Sequence, residues 1–250
     1  MRVAIVGRGK VGRAFERALA AYTPVAVGRK LPRALDVELV LLAVPDAQIA
    51  RVAAELEFGG CVLHTAGSRG VEELAALRAR GASVGVLHPL LSFASAKHPP
   101  LLHGATFTLF GDRRATQAGR KLARVLGARP LVLSSPPPAY HAAAALLANG
   151  AAALAAHASA MLAQIPQRER ERALAGLLAS VATNIAQVGL PAALTGPVVR
   201  GDVEAVRRHL DALPPALRKS YARVLPLIVA TAREAGLAPS TARALLRLAR

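Results

Sequence analysis

Short apolar runs and stretches with helical periodicity alternate over the first 135 residues. The apolar runs lack polar alternation and predict strands that are buried on both faces. They lie at 2–6, 25–27, 38–44, 61–64, 83–87, 105–110 and 131–133. Helices are predicted between them, at about 12–21, 46–56, 70–80 and 114–126. This order predicts an α/β domain with a doubly wound parallel sheet.

The pattern changes at the SSPPP cluster at 134–138, which is a strong breaker of regular structure. No strand is predicted after it. Helices are predicted at about 139–163, 168–188, 202–213, 215–235 and 239–249. Asp202 is the predicted N-cap of the third of them. We therefore expect a sheet domain over 1–135 and an all-helical domain over 139–250.

Composition raises and then weakens the idea of a nucleic-acid partner. The net charge is +17, from 32 Lys and Arg against 15 Asp and Glu. However, the basic residues are scattered from Arg2 to Arg250, and the densest cluster, RERER at 168–172, alternates with acids. A nucleic-acid protein should show a basic stripe or a known module, and neither is found. Nucleic acid is not expected as the main partner.

Neither a membrane nor an oxidising compartment is expected. The most apolar long stretch, 139–163, is mostly Ala and carries His141, Asn149 and His157, which favours a helix packed inside protein. Cys61 is the only cysteine, so no internal disulfide framework can form. The chain begins with a strand pattern and not a signal peptide. A cytoplasmic location is expected.

The clearest motif follows the first strand and opens the first helix. Gly7, Gly9 and Gly12 form GxGxxG, the fingerprint of a Rossmann dinucleotide site. The first glycine permits a tight turn, the second lets the backbone approach a pyrophosphate, and the third lets the helix pack close to the strand. The predicted cofactor-binding residues here and at the end of the third strand are Gly7, Arg8, Gly9, Lys10, Val11, Gly12, Ala43, Val44 and Pro45.

The end of the second strand indicates which dinucleotide binds. NAD sites usually carry an acidic residue there, but this chain has Arg29 and Lys30, which could pair with a 2′-phosphate. We therefore expect NADP, with the alternative that both cations are simply solvated. Asp46, after the third strand, could line the nicotinamide side of the cleft, although a helix N-cap is the favoured interpretation.

Longer motifs connect the chain to a known group of enzymes. The glycine loop, LLAVPD (41–46), HTAGS (64–68) and HPLLSF (88–93) resemble the reductases related to 6-phosphogluconate dehydrogenase. That group includes β-hydroxyacid dehydrogenases, pyrroline-5-carboxylate reductase, prephenate dehydrogenase and the F420-dependent NADP reductases. With YHAAAALLAN (140–149) and TGPVVRGD (195–202), the whole chain resembles a subfamily of NADP oxidoreductases that joins a Rossmann-like domain to a helical domain of unknown function.

The resemblance also shows where this chain differs. β-Hydroxyacid dehydrogenases carry a catalytic Lys one helical turn before an Asn; here Asn149 is present, but Ala145 occupies the Lys position. Prephenate dehydrogenases resemble the chain at His88, where their His contacts the hydroxyl being oxidised, and at Ser68. The resemblance further implies that the helical domain mediates a homodimer.

Hydride transfer also needs a group that gives or takes a proton. His88, at the carboxyl end of a strand, is the predicted proton donor or acceptor, and its alternative role is to cap the loop before Pro89. Ser68 could bind a substrate carboxylate or the amide group of the nicotinamide, or it could cap a helix. Asn149 is the preferred polar contact to nicotinamide or substrate. His141, the second polar residue of that helix, is a predicted substrate-binding residue. The eight-residue spacing prevents His141 and Asn149 from touching one reacting atom.

Arg200 lies in the glycine-rich TGPVVRGD loop and is a fixed cation suited to an anionic substrate, or else a partner of Asp202. No metal site is expected. The sequence therefore predicts an NADP-dependent oxidoreductase that acts on a small carboxylate-bearing carbonyl, imine or hydroxy compound. The alternative is a non-catalytic NADP-binding regulator or scaffold, which the missing Lys at Ala145 favours.

Overall fold

A seven-stranded sheet forms the core of the first part of the chain. The computed structural model describes residues 1–22, 25–27 and 36–249. The strands are β1 (Val3–Val6), β2 (Val25–Val27), β3 (Leu39–Leu42), β4 (Cys61–His64), β5 (Ser83–Pro89), β6 (Thr106–Gly111) and β7 (Arg129–Val132). Their order in the sheet is β2-β1-β3-β4-β5-β6-β7. The predicted α/β class with a Rossmann-type sheet is confirmed.

One strand pair differs from the fully parallel sheet that the sequence predicts. β5 and β6 are antiparallel, with Leu87 opposite Leu109, whereas the other neighbouring pairs are parallel. Residues 90–105 connect these two strands without a helix. Parallel neighbours need a long crossover, usually helical, and antiparallel neighbours do not. The missing helical pattern between them was the sequence signal for this reversal.

Helices cover both faces of the sheet. They are α1 (Lys10–Ala18), α2 (Ile49–Glu55), α3 (Ala75–Ala79) and α4 (Arg113–Val125). Phe15 of α1 and Leu122 of α4 pack with Ile5 in one apolar cluster. Ile49 of α2 packs with Val40 in the second cluster, on the opposite face. Neighbouring residues of β1 and β3 belong to different clusters, which explains why these strands read as continuous apolar runs.

The second part of the chain contains helices and no strand among its described residues. Its helices are α5 (Tyr140–Met161), α6 (Gln167–Val188), α7 (Val203–Asp211), α8 (Pro215–Glu234) and α9 (Pro239–Arg247). The last three share a buried core that includes Val206, Leu225, Val229 and Leu245. Neither α5 nor α6 has a buried residue. Within the described ranges, α5 alone is long and apolar enough to cross a bilayer, and none of that span is buried. The expectation that 139–163 packs inside protein is therefore wrong for the single chain.

The chain divides into two compact units, Met1–Ala148 and Asn149–Arg250. The division falls inside α5, while the sequence places the boundary at the proline cluster before this helix. Residues 140–148 of α5 belong to the sheet unit, in which Tyr140 and His141 contact His88. The predicted boundary therefore marks the change in secondary structure and not the limit of compact packing.

Candidate functional site

The turn between β1 and α1 is closed by glycines that leave no room for a side chain. Gly7 has φ +112, a conformation that other residues rarely adopt. A Cβ at Gly7 would overlap the carbonyl oxygen of Ala43, and a Cβ at Gly12 would overlap the carbonyl oxygen of Gly7. The turn therefore packs backbone against backbone on the end of β3, as a dinucleotide loop requires.

Gly9 differs from its two neighbours in the motif. An added Cβ at Gly9 would meet nothing within 4 Å. Gly9 is the N-cap of α1, no side chain caps this helix, and its first turn carries no acidic residue. Free N–H groups at a helix start attract anions, so this end of α1 suits a pyrophosphate.

A cleft of about 770 Å³ opens beside this turn. Of the predicted cofactor residues, it is lined by Gly7, Arg8, Gly9, Ala43, Val44 and Pro45. Lys10 is exposed at the start of α1, Val11 is half-buried, and Gly12 is buried beneath the loop. The cleft is also lined by Gln48, Arg51 and Glu55, which the sequence did not predict. Their position on the helix that follows β3 was the signal that could have found them.

The cations near this cleft are mostly paired. Arg8 lies 3.6 Å from Glu16, and Arg51 lies 2.8 Å from Glu55. Arg8, Arg51 and Glu55 are exposed and Glu16 is half-buried, so each pair contributes little energy and can open for a ligand. Arg29 and Lys30, the predicted determinants of NADP preference, lie outside the described residues.

His88, near the end of β5, forms a hydrogen-bonded pair with Tyr140, at the start of α5. The Nδ1 atom of His88 lies 2.7 Å from the Tyr140 hydroxyl, and the rings meet edge to face. The ring of His141 lies 5.7 Å from that of His88. Gly67 packs directly on the His88 ring, since a Cβ there would be 2.6 Å from Nε2. The structure thus brings His88 and His141 together, and it adds Tyr140.

Burial makes His88 a neutral imidazole at physiological pH. Desolvation, followed by the nearby His141, lowers the pKa of His88 from 6.5 to about 4. His64 lowers this pKa further, and Asp46 opposes the shift. A neutral imidazole can accept a proton, but it is a poor source of one at neutral pH.

Tyr140 is the residue that the sequence prediction missed. Burial raises the pKa of its phenol, an effect that the neighbouring Thr108 hydroxyl partly offsets. Thr108 lies directly opposite His88 in the β5–β6 ladder and is fully buried. Its hydroxyl has no hydrogen-bond partner among the residues that the structure describes. The signal for Tyr140 was its place as the first aromatic after the proline cluster, next to His141.

His64 has a structural role in this region. Its Nδ1 accepts a hydrogen bond from the Ala66 N–H at 3.2 Å, and its Nε2 donates to the Gly70 carbonyl at 2.9 Å. Desolvation lowers the pKa of this buried imidazole. His64 therefore fixes the 65–70 loop as a neutral side chain, and both of its ring nitrogens are used.

Ser68 lies on that loop and contacts Asp46. Its hydroxyl donates to the Asp46 carboxylate at 2.8 Å. Neither residue caps a helix through its side chain, so the favoured N-cap role for Asp46 is wrong. Pro45, with no side-chain acceptor, holds the N-cap position, which leaves the Asp46 carboxylate free to bind Ser68.

A second cleft of about 500 Å³ lies beside this loop. Its wall includes Ser68, Tyr140, His141 and the proline segment at 134–138. His88 does not line it. Tyr140 and His141 are therefore the residues of the His88 cluster that line this cleft.

Two predicted site residues lie in the helical unit. Asn149 is exposed on α5, and Arg200 is exposed in the turn between α6 and α7. Arg200 makes no ion pair with any described residue, and Asp202 instead accepts a hydrogen bond from the Ala205 N–H at 2.9 Å. The N-cap prediction for Asp202 is confirmed. In the described ranges, no group of three His, Cys, Asp or Glu side chains is placed to hold a metal ion.

Two family models match the chain. A Rossmann-like domain matches residues 30–89, and a domain of unknown function, DUF2520, matches residues 105–226. The first covers β3, β4 and β5, and the second begins at β6 and extends into α8. No curated protein sequence is significantly similar to this chain.

Solved structures share the fold over 93% of the chain. Protein TM1727 from Thermotoga maritima is 26% identical, over 93% of this chain and 99% of that chain, with a TM-score of 0.67. BF3122 from Bacteroides fragilis, described provisionally as an NADP oxidoreductase, is 18% identical over 93% and 98%, with a TM-score of 0.69. A pyrroline-5-carboxylate reductase from Coxiella burnetii is 16% identical over 93% and 97%, with a TM-score of 0.60.

Proposed function

We propose that this chain, which joins a Rossmann-like domain to a DUF2520 domain, is an NADP-dependent oxidoreductase. It would transfer a hydride to or from a small carboxylate-bearing carbonyl, imine or hydroxy compound. The observation that carries the proposal is the glycine turn, where Gly7 and Gly12 leave no space for a Cβ and Gly9 stays open. The names of two similar structures, an NADP oxidoreductase and a pyrroline-5-carboxylate reductase, agree with it.

The cofactor would lie along the larger cleft. The start of α1 would hold the pyrophosphate, and Val44 and Pro45 would line the nicotinamide side. Arg29 and Lys30 would pair with the 2′-phosphate, with Arg8 as a third cation. Bound NADPH supplies the hydride, so the protein has only to place the reacting carbon and manage one proton.

Substrate would bind near the 65–70 loop. Ser68 and His141 line the smaller cleft there, and His88 lies behind it. Ser68 would orient the substrate, with Asp46 fixing its hydroxyl. Asn149 and Arg200, which belong to the helical unit, stay the predicted contacts for polar and anionic groups of a substrate. Because Arg200 makes no ion pair with the described residues, its guanidinium is available to a carboxylate.

We further propose that the protein is a cytoplasmic homodimer that associates through its helical domain. A stripe of large apolar side chains on α6 is exposed, formed by Leu177, Val181, Ile185 and Val188. Exposed apolar patches of this kind mark contact sites with other protein surfaces.

A second candidate function is an NADP-binding regulator without turnover. It is favoured by Ala145, which replaces the Lys that related dehydrogenases use, and by the low pKa of His88. In this case the glycine loop would bind NADPH, but the smaller cleft would reduce nothing.

One experiment separates the two functions. NADPH affinity is measured by the change in nicotinamide fluorescence. Turnover is then followed by NADPH absorbance with three probes: 1-pyrroline-5-carboxylate, a 2-oxo acid, and a 2-oxo acid with ammonia. The enzyme hypothesis expects turnover that Ser68→Ala lowers mainly through a higher KM. Tight NADPH binding without turnover of any probe supports the regulator, and failure to bind NADPH refutes both.

A further inference from the structure

We propose that the Tyr140 hydroxyl exchanges the proton with the substrate, and that His88 and Thr108 position this hydroxyl. The inference rests on the proposed oxidoreductase function and names its acid. Tyr140 would thus contact the substrate directly, in place of His88, which the sequence predicts as the proton donor or acceptor.

Exposure to the cleft distinguishes Tyr140 from His88. Tyr140 lines the smaller cleft together with Ser68, whereas His88 does not. The His88 ring is covered by Gly67, which packs on it closely, and by the Tyr140 ring, which meets it edge to face. A substrate in this cleft would therefore contact Tyr140 and not His88, whose Nδ1 lies 2.7 Å from the Tyr140 hydroxyl.

Thr108 supplies a second, independent observation. Its side chain is fully buried, and its hydroxyl lacks a hydrogen-bond partner among the described residues. Buried hydroxyls are normally satisfied, so an unused one calls for an explanation. Thr108 lies opposite His88 in the sheet, and its hydroxyl is close enough to Tyr140 to lower the pKa of the phenol, although no hydrogen bond joins the two side chains in this structure. It is thus placed to donate to the oxygen of a phenolate, the species that Tyr140 becomes after proton transfer.

The proton transfer balances in the reductive direction. The substrate carbon receives the hydride that NADPH supplies, and the π pair of the C=N or C=O bond becomes a lone pair on the heteroatom. That atom takes the Tyr140 proton as the O–H bond breaks. The phenolate accepts hydrogen bonds from His88 Nδ1–H and Thr108, and water in the open cleft then returns a proton to it. Oxidation of an amine or alcohol runs through the same groups in reverse.

The charges around the pair favour the phenol as the acid. His141 and His64 both disfavour a proton on His88, and burial acts in the same direction. Asp46 opposes them and does not reverse the outcome. At neutral pH the imidazole is uncharged and has no imidazolium proton to donate, while the phenol stays protonated because burial raises its pKa.

The test compares two tyrosines that each contact a histidine. Tyr140→Phe removes the proposed acid, and Tyr221→Phe is the matched control, because the Tyr221 hydroxyl lies 3.2 Å from His209 Nδ1 with the rings edge to face. We expect Tyr140→Phe to lower kcat for a turned-over probe by about 100-fold or more. NADPH affinity should stay within about twofold. Tyr221→Phe should change neither.

Two further readouts do not depend on turnover. In nitrogen-15 NMR spectra, Tyr140→Phe should shift the His88 Nδ1 signal, and Tyr221→Phe should leave it unchanged. The absorbance of the Tyr140 phenolate is isolated by subtracting the spectrum of the same protein with Tyr140→Phe. It should show a higher Tyr140 pKa in Thr108→Val than in the wild type.

The pH dependence of turnover distinguishes the two possible acids. A kcat that stays level between about pH 6 and pH 9 is expected for a phenol acid, whereas the kcat for an imidazolium acid would fall about tenfold per pH unit.

The outcomes separate the two proposals. If the wild type turns over a probe and Tyr140→Phe does so equally well, the role of Tyr140 is refuted and the oxidoreductase function stands. If the wild type turns over none of the three probes, both are refuted. A kcat that falls steadily above about pH 6 would return the role of acid to His88.

Discussion

The carbonyl oxygen of Gly7 occupies the position that a side chain at Gly12 would need. Gly12→Ala must therefore push the β1–α1 turn apart, and overpacking of this kind costs about 1–3 kcal/mol of unfolding free energy. We expect the variant to be less stable in urea unfolding and to bind NADPH poorly. Unchanged stability would contradict the close packing of this turn.

Gly9→Ala is the contrasting change in the same motif. A Cβ at Gly9 meets nothing within 4 Å, and its φ of −75 suits any residue. The fold should tolerate it, but the methyl group would stand where a pyrophosphate has to approach. We expect wild-type stability in urea with NADPH affinity lowered by about tenfold or more in a fluorescence titration. Equal affinity would place the phosphates elsewhere.

Arg29 and Lys30 should determine the choice of dinucleotide. A cation paired with a 2′-phosphate contributes about 1.5–3 kcal/mol, which corresponds to roughly 10- to 150-fold in affinity. The double variant Arg29→Ala, Lys30→Ala should lose this factor for NADP and keep its affinity for NAD. In the wild type, added salt should narrow the preference for NADP, because exposed charges are screened. A preference that survives the double variant would assign the 2′-phosphate to other groups.

His64 should contribute to stability through the 65–70 loop. Replacing it by Phe leaves the Ala66 N–H without its partner, while the Gly70 carbonyl keeps only the Glu73 N–H, at 3.4 Å. An unsatisfied buried polar group costs about 1–3 kcal/mol, so His64→Phe should lower the unfolding free energy by at least that amount. His98→Phe, which changes an exposed imidazole, is the control and should have little effect. An equal loss of unfolding free energy in both variants would argue against the role of His64 in fixing the 65–70 loop.

The sequence predicted the elements better than it predicted the chemistry. Continuous apolar runs and the GxGxxG motif are local patterns, so they located the strands of the sheet unit and the glycine turn. The reversed β6 was missed because strand direction depends on the whole connection between two strands. Tyr140 was missed because its meaning comes from His88, which lies 52 residues away in sequence. Likewise, Asp46 looked like a helix cap until Ser68 was found beside it.

The low pKa of His88 should make the fold sensitive to acid. The folded value of about 4 lies below the unfolded value of 6.5, so above pH 6.5 neither state takes a proton at this site. As the pH falls from 6.5 towards 4, the unfolded state binds a proton at this site and the folded state does not, so the free energy of unfolding decreases. A shift of this size corresponds to a loss of about 3 kcal/mol at most.

Urea unfolding between about pH 4 and pH 7 measures this loss. His88→Gln should unfold with a shallower pH dependence than the wild type, whatever its stability at neutral pH. His64 has a lowered pKa as well and acts in the same direction, but it is present in both proteins. His98→Gln is the control and should keep the steep dependence. A wild-type slope in His88→Gln would mean that other groups cause the acid sensitivity.

The exposed stripe on α6 should hold two copies of the chain together. Leu177 is 61% exposed and Val181 is 42% exposed, and their four-residue spacing places them on one face of the helix. Burying apolar surface contributes about 25 cal/mol per Å², so such a stripe favours association, and a charge within it opposes association. The wild type should sediment as a dimer, and Leu177→Glu with Val181→Glu should sediment as a monomer. Leu101→Glu, at a position 85% exposed in the sheet unit, is the control and should remain dimeric. A monomeric wild type, or a double variant that stays dimeric, would exclude this stripe as the dimer interface.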